Sequence, residues 1–329
     1  MKMVLPIPEQ EGFRVCLPER VRFPLGIKVE YTPCGLKLGR NGFILDVIVP
    51  PASRESLVRA LGPDKSGMNT RGLSVSWRQL LEKIALSGML TDASPSVQHP
   101  HTTYIPALTA LTELFDAIYE ESCAQFPAGH ALNKLIAGEL TQSMAVAWLI
   151  ENYHYTKSAR YHVAPVLNHD MDSSERALWE RFLKDESWHW RIYRPAFSQF
   201  QLSTSEVDDR RPLQVTSRFI ETLRSAAETS PVAYAAAMMF IEQPPLSMNL
   251  EEDPLYTSLM EFYGFSLDSI RPLWWHATEN LTAGHSALGA VVISNRKSIC
   301  RRELNIARDA VRDTVHAVGV WHEAILGAK

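Results

Sequence analysis

The chain has 329 residues and a mass of 37.1 kDa, with 46% hydrophobic and 21% charged residues; that is room for two domains of ~100–200 residues, and the composition excludes a disordered chain. Its longest apolar runs, such as 235–241, fall well short of the roughly 20 residues of a membrane span. The opening MKMVLPIPEQEGF carries Glu9 and Glu11 and has no long apolar core, so no secretory signal is expected.

The first 95 residues hold 13 Lys/Arg against 9 Asp/Glu, and the remainder 20 against 28, within a net charge of −4. A basic front on an acidic body fits a front end that receives something acidic. Four cysteines (Cys16, Cys34, Cys123, Cys300) lie far apart with no CxxC. That pattern excludes a zinc ribbon, a thioredoxin site and a disulfide framework, and reduced thiols in a cytoplasmic setting are the expectation.

Residues 13–50 carry period-two runs separated by turns. Residues 27–31 alternate, Thr32-Pro33-Cys34-Gly35 turns, 36–38 alternate, Gly39-Arg40-Asn41-Gly42 turns, and 43–49 form a third run. A small antiparallel sheet is expected. Two short helices follow at 51–61 and 76–86, the second stopping at Ser87-Gly88. The polar stretch 92–102, with two prolines, reads as a linker. The predicted division is a recognition module over 1–95, a linker over 96–102 and a helical domain over 103–329.

From Tyr104 onward the period is helical. Helices are expected at about 104–125, 130–160, 174–200, 212–229, 231–242, 254–263, 267–294 and 298–326, with no convincing strand among them. The expected fold class is mostly α: a helical bundle preceded by a small α+β winged-helix-like domain. There is no GxSxG, Walker loop or GxGxxG, so nucleophile triads and nucleotide-dependent phosphoryl transfer have no support.

Residues three apart share a helix face, so a Glu and a His at that spacing can reach one metal ion. Three such pairs occur: Glu151/His154, Glu186/His189 and, reversed, His276/Glu279. Each lies in an expected helix beside aromatic residues. Carboxylate and imidazole projecting into a bundle interior is the donor set of helical iron and manganese proteins. The competing structural reading is a set of buried polar residues tying helices together.

His285 is nine residues past His276 and shares a site with it only where the helix bends or unwinds. Glu139 is a marginal further carboxylate, and Glu242 a buried carboxylate or cap neighbour. His99, His101, His130, His169 and His322 read as surface or linker residues. His316 sits on a helix without an assigned partner. The acidic run 251–253 reads as a solvated loop and helix start.

At these residues the helical region resembles the haem-oxygenase-like superfamily, which includes the PQQ-synthesis oxidase PqqC, the TenA proteins and non-haem diiron oxidases. The carriers are 138–141, Trp148-Leu149-Ile150-Glu151-Asn152-Tyr153-His154, Asp185-Glu186-Ser187-Trp188-His189, and His276…Asn280…Gly284-His285. The resemblance covers 103–326. It implies iron held by Glu151, His154 and Glu186, with His189, His276, Glu279 or His285 completing the set, and dioxygen as co-substrate. The same Glu151, His154, Glu186 and His189 are then the catalytic candidates. The diiron members carry His-x3-Asp-x2-His on the late helix. Here the second and third positions are Asn280 and Ala283, so a mononuclear site stands beside a dinuclear one.

The front module resembles a PqqD-type peptide-recognition domain in its order of elements. That implies a leader peptide adding a strand to a sheet edge, as in ribosomal-peptide biosynthesis. The expected function is an oxidative tailoring enzyme of natural-product or peptide biosynthesis, acting on a small-molecule, amino-acid or peptide substrate. A homodimer is the expected assembly, with no nucleic acid or membrane partner.

Three alternatives remain at this stage. One is a metal-free acid–base enzyme of the PqqC and TenA kind. Another is a winged-helix DNA-binding ligand sensor, whose best helix offers only Arg78 and Lys83. The last is a ferritin-like diiron bundle, in which the two ExxH helices would not be consecutive.

Overall fold

The computed structural model describes residues 3–4, 15–63, 66–94, 104–127 and 129–326. His99, His101 and most of the expected linker lie outside them. The alternating runs of the front region become β3 (Lys28–Tyr31), β4 (Gly35–Arg40) and β5 (Phe43–Ile48), and two strands outside those runs precede them, β1 (Met3–Val4), which pairs parallel with β5, and β2 (Arg20–Arg22). There follow α1 (Pro51–Leu61), β6 (Met68–Asn69), α2 (Val75–Leu86) and β7 (Thr91–Asp92). One sheet has the order β1-β5-β4-β3. Its hairpin register pairs Arg40 with Phe43 and Gly35 with Ile48, so Phe43, Leu45 and Val47 all turn inward. Three short strands, β6-β2-β7, form a second sheet that the period-two pattern did not reveal.

The body opens with β8 (Tyr104–Pro106) and α3 (Ala107–Gln125), then α4 (Leu132–Ile136), α5 (Gln142–Lys157), α6 (Ala159–Val163) and α7 (Ser173–His189). Next come α8 (Arg194–Gln199), α9 (Thr204–Asp209), α10 (Gln214–Thr229), α11 (Pro231–Ile241), α12 (Pro254–Tyr263) and α13 (Leu267–Thr282). The chain ends in α14 (His285–Ser294), β9 (Ser298–Cys300) and α15 (Arg301–Leu326). Most expected helices form, with three breaks. The expected 130–160 helix stops at Ile136 and restarts where the Thr141 hydroxyl accepts from Met144 N. The expected 174–200 helix passes through a tight 3₁₀ turn at Trp190–Tyr193. The expected 267–294 helix breaks at Gly284, whose φ of 82° is left-handed.

The body is not all-helical: β8 pairs antiparallel with β9, joining its two ends. Neither strand is longer than three residues, too short for a period to show.

Ten of the eleven residues of α11 are buried, which makes it the central helix, in contact with α10, α14 and α15. Gly289 of α14 permits the closest of these approaches: a Cβ there would stand 2.2 Å from the Ala235 carbonyl oxygen. The histidines expected at the surface are more enclosed. His322 is buried, and its Nδ1 lies 3.2 Å from Nε2 of His130. His169 Nε2 lies 2.8 Å from the Ala227 carbonyl. Within the acidic run, Asp253 is fully buried as the cap of α12, its carboxylate accepting from Ser247 N and Leu255 N.

Candidate metal centre and cavity

The last turn of α7 carries Glu186 and His189 on one face, as their spacing requires. Helix α13 brings His276 across from it. Nδ1 of His189 lies 2.9 Å from Oε1 of Glu186 and 2.8 Å from Nε2 of His276. Among the described residues, this trio has donor atoms within 4.8 Å of one another. The break at Gly284 then turns the chain so that His285, the first residue of α14, reaches the same place. Its Nδ1 is 3.0 Å from the same Glu186 oxygen, without hydrogen-bond alignment, and its Nε2 is 3.4 Å from Asp185.

Burial works against a charged Glu186, but the hydrogen bond to His189 and the close imidazole of His285 outweigh it and hold the carboxyl well below the usual range. The same contacts overcome desolvation at His189 and His285 and raise both imidazoles. His276 has no carboxylate partner of its own, and desolvation lowers it to about 4. It is therefore a neutral imidazole at physiological pH, the form that ligates metals.

A cavity of about 150 Å³ adjoins the trio. Glu186 and His276 form one side of it. Glu242, which ends α11, and Asn280, one turn past His276, form another. The Asn280 amide nitrogen donates to Oε2 of Glu242 at 3.0 Å. Burial, reinforced by the Glu186 charge, raises Glu242 to about 7. Tyr155 of α5 and His162 of α6 also line it.

The structure does not bring Glu151 and His154 to this place. The Glu151 carboxylate accepts from Leu213 N at 3.1 Å and from the Thr216 hydroxyl, so it caps the start of α10. His154, also buried, feels Glu151, Lys157 and Asp208 rather than Glu186, and desolvation lowers it. The helix face of α5 that meets the cavity is instead that of Asn152, Tyr155 and Thr156. The expected union of Glu151 and His154 with Glu186 is therefore not formed. Glu279 is half-buried and outside the cavity lining, raised by desolvation against the pull of His189 and His285. Glu139 is exposed ahead of α5.

His162, Asp185 and the placement of Glu242 were not legible as site features. Glu242 and Asn280 belong to different helices, and no spacing rule links them. His162 lies in a five-residue helix with no partner in sequence.

No family model matches this chain, and no curated protein matches it. Solved structures do. One is a domain of unknown function with a haem oxygenase-like fold from Shewanella denitrificans, at TM-score 0.51 and 18% identity, covering 66% of this chain and 90% of that one. The body has the haem oxygenase-like fold. A TenA homolog from Pseudomonas syringae pv. tomato is similar at TM-score 0.50 and 11% identity, covering 68% of this chain and 94% of that one. At these identities the likeness fixes the fold of the haem oxygenase-like body and nothing of its chemistry.

The donor set itself tests whether a metal fits. The single Nδ1 of His189 lies within 3 Å of both a carboxylate oxygen and an imidazole nitrogen, an arrangement that one shared N–H or one ion can bridge. Two donors at right angles, each about 2.1 Å from one ion, stand about 3 Å apart. The separations of 2.8 and 2.9 Å are close to that, so Glu186, His189 and His276 fit a divalent ion.

Proposed function

We propose that this protein is a non-haem iron oxidase with a mononuclear centre held by Glu186, His189 and His276. The observation that carries the reading is the donor set: two imidazoles and one carboxylate converging from two helices beside a buried cavity. Two histidines and one carboxylate are the ligand set of non-haem Fe(II) oxygenases, and the iron, when bound, supplies the activation of dioxygen. His285 braces Glu186 from α14, and Asp185 lies 3.4 Å from the far nitrogen of that imidazole. Glu242, raised to about 7, is placed to hold or release a proton inside the cavity near neutral pH. Tyr155 and Tyr193 add aromatic surface to the cavity lining.

The test is anaerobic Fe(II) titration with the metal counted after dialysis. About one iron per chain is expected, lost in His189→Ala and His276→Ala. Glu151→Gln and His154→Ala keep it. Loss of iron in those two variants, with retention in the first two, would reverse the assignment.

Glu242 also supports a second reading, a metal-free acid–base enzyme on the same fold. A buried carboxyl that titrates near neutrality is the property a general acid or base needs. Absence of specific iron binding would select it.

The front region supports a peptide-receiving role. Strand β3 ends its sheet and is open to solvent at Lys28, Glu30 and Tyr31. Fluorescence anisotropy of labelled acidic peptides against the full chain tests this, and absence of saturable binding removes it.

A further inference from the structure

The polar groups of the cavity are not distributed at random. The Asn280 amide nitrogen donates to Glu242, so its oxygen faces the other way. That Oδ1 is buried and has no hydrogen-bond partner among the described residues. With Glu242 ionised, this wall presents a carboxylate and an amide carbonyl, which are then acceptors only. His162, 3% exposed, lines the same cavity, and its Nδ1 lies 2.8 Å from the Tyr234 hydroxyl. The Tyr234 hydroxyl has no other hydrogen-bond partner among the described residues, so the pair is satisfied when its proton goes to Nδ1. Nε2 of His162 then carries the ring hydrogen, and it too is buried without a partner. Tyr155 stacks on this ring at an interplanar angle of 7° and fixes its plane. Buried polar atoms without partners are costly, on the order of 1–3 kcal/mol each, and a pair of them lining one cavity marks where a ligand makes its bonds.

We infer that the cavity takes a small molecule bearing a primary ammonium group, held by the Glu242 carboxylate and the Asn280 amide oxygen, with an acceptor group directed at His162 Nε2. An ammonium supplies three donors and a positive charge, which an acceptor-only wall beside two buried carboxylates matches. A carboxylate at that wall would meet like charge and find no donor. The cavity volume of about 150 Å³ admits on the order of five water-sized groups, so the molecule or the inserted portion of it is small. The inference rests on reading this cavity as the substrate site. It names the substrate class, which the iron centre does not.

The experiment uses EDTA-treated full-length protein, so it is separable from iron binding. Thermal melts are recorded with n-propylammonium chloride, 1-propanol and sodium propionate at matched ionic strength. A dose-dependent rise in Tm with propylammonium alone is expected. Glu242→Gln abolishes the shift, and Asn280→Ala weakens the apparent affinity by roughly tenfold or more. Iron stoichiometry is measured in parallel and stays the same in Glu242→Gln. An equal or larger shift with propionate overturns the inference, as does a propylammonium shift that survives in Glu242→Gln. A fall from about two irons to about one in Glu242→Gln also overturns it, because that wall is then a second metal position. If propylammonium binds and iron does not, the substrate class stands and the oxidase reading fails.

Discussion

Glu242 is the residue whose environment most departs from the ordinary. A buried carboxyl raised from 4.5 to about 7 binds its proton more tightly in the folded state than in the unfolded one. Its contribution is therefore fully present below the unfolded value of 4.5 and is lost as pH rises toward about 7. Glu242→Gln removes the dependence, because the amide keeps an oxygen for Asn280 and never ionises. The variant should be more stable than the parent at pH 8, by up to about 3 kcal/mol, and nearly equal to it at pH 4. Urea melts at the two pH values check this. A variant destabilised equally at both would show that the carboxyl is not held neutral. His189 makes the companion case. Its imidazole is raised by Glu186, and a proton competes with a metal for that nitrogen. Iron affinity should therefore fall as pH drops through the raised titration range of His189, by up to roughly tenfold per unit for each imidazole that must lose a proton. A flat affinity between pH 6 and 8 would exclude His189 as a ligand.

At the level of elements, the break between α13 and α14 builds the site as much as any ligand does. On an unbroken helix His285 would stand half a turn away from His276. The left-handed turn at Gly284 resets the phase and points His285 at Glu186. Gly284→Ala should cost about 1–2 kcal/mol, since a Cβ disfavours that conformation. It should leave iron stoichiometry intact, because Glu186, His189 and His276 all precede the break. Loss of iron in that variant would bring His285 into the ligand set.

The sequence made this half legible. Spacing alone put Glu186 with His189 and flagged that His285 needs a bend, because both follow from helix geometry within one segment. The resemblance placed Glu151 and His154 with them, and an ExxH looks the same whether its face meets the cavity or the next helix. Only packing distinguishes these, and α10 takes the Glu151 carboxylate for its own first turn. The partners that come from other elements, Glu242 with Asn280 and His162 with Tyr234, are 38 and 72 residues apart and leave no periodic trace.

For the whole molecule, the front region and the haem oxygenase-like body share one apolar core. Leu36, Leu38 and Leu81 of the front belong to the same continuous cluster as Leu111, Phe115 and Val291 of the body. Phe43 meets Phe115 edge to face at 5.0 Å, and Arg40 and Asn41 both bind the Asp116 carboxylate. Helix α14 carries His285 at one end and packs on α2 of the front region along its flank. Two bodies tied only by a linker unfold separately, whereas bodies that bury their cores against each other melt together. A single calorimetric transition is therefore expected for the full chain. Asp116→Ala, which leaves Arg40 without its carboxylate, should lower the stability of that one transition by about 2 kcal/mol and should not split it. Two resolved transitions in the parent protein would mean that the front region folds as an independent unit. The observed packing of Phe43 on Phe115 of α3 argues for the first outcome, because removing the front region would leave that apolar flank of α3 in water.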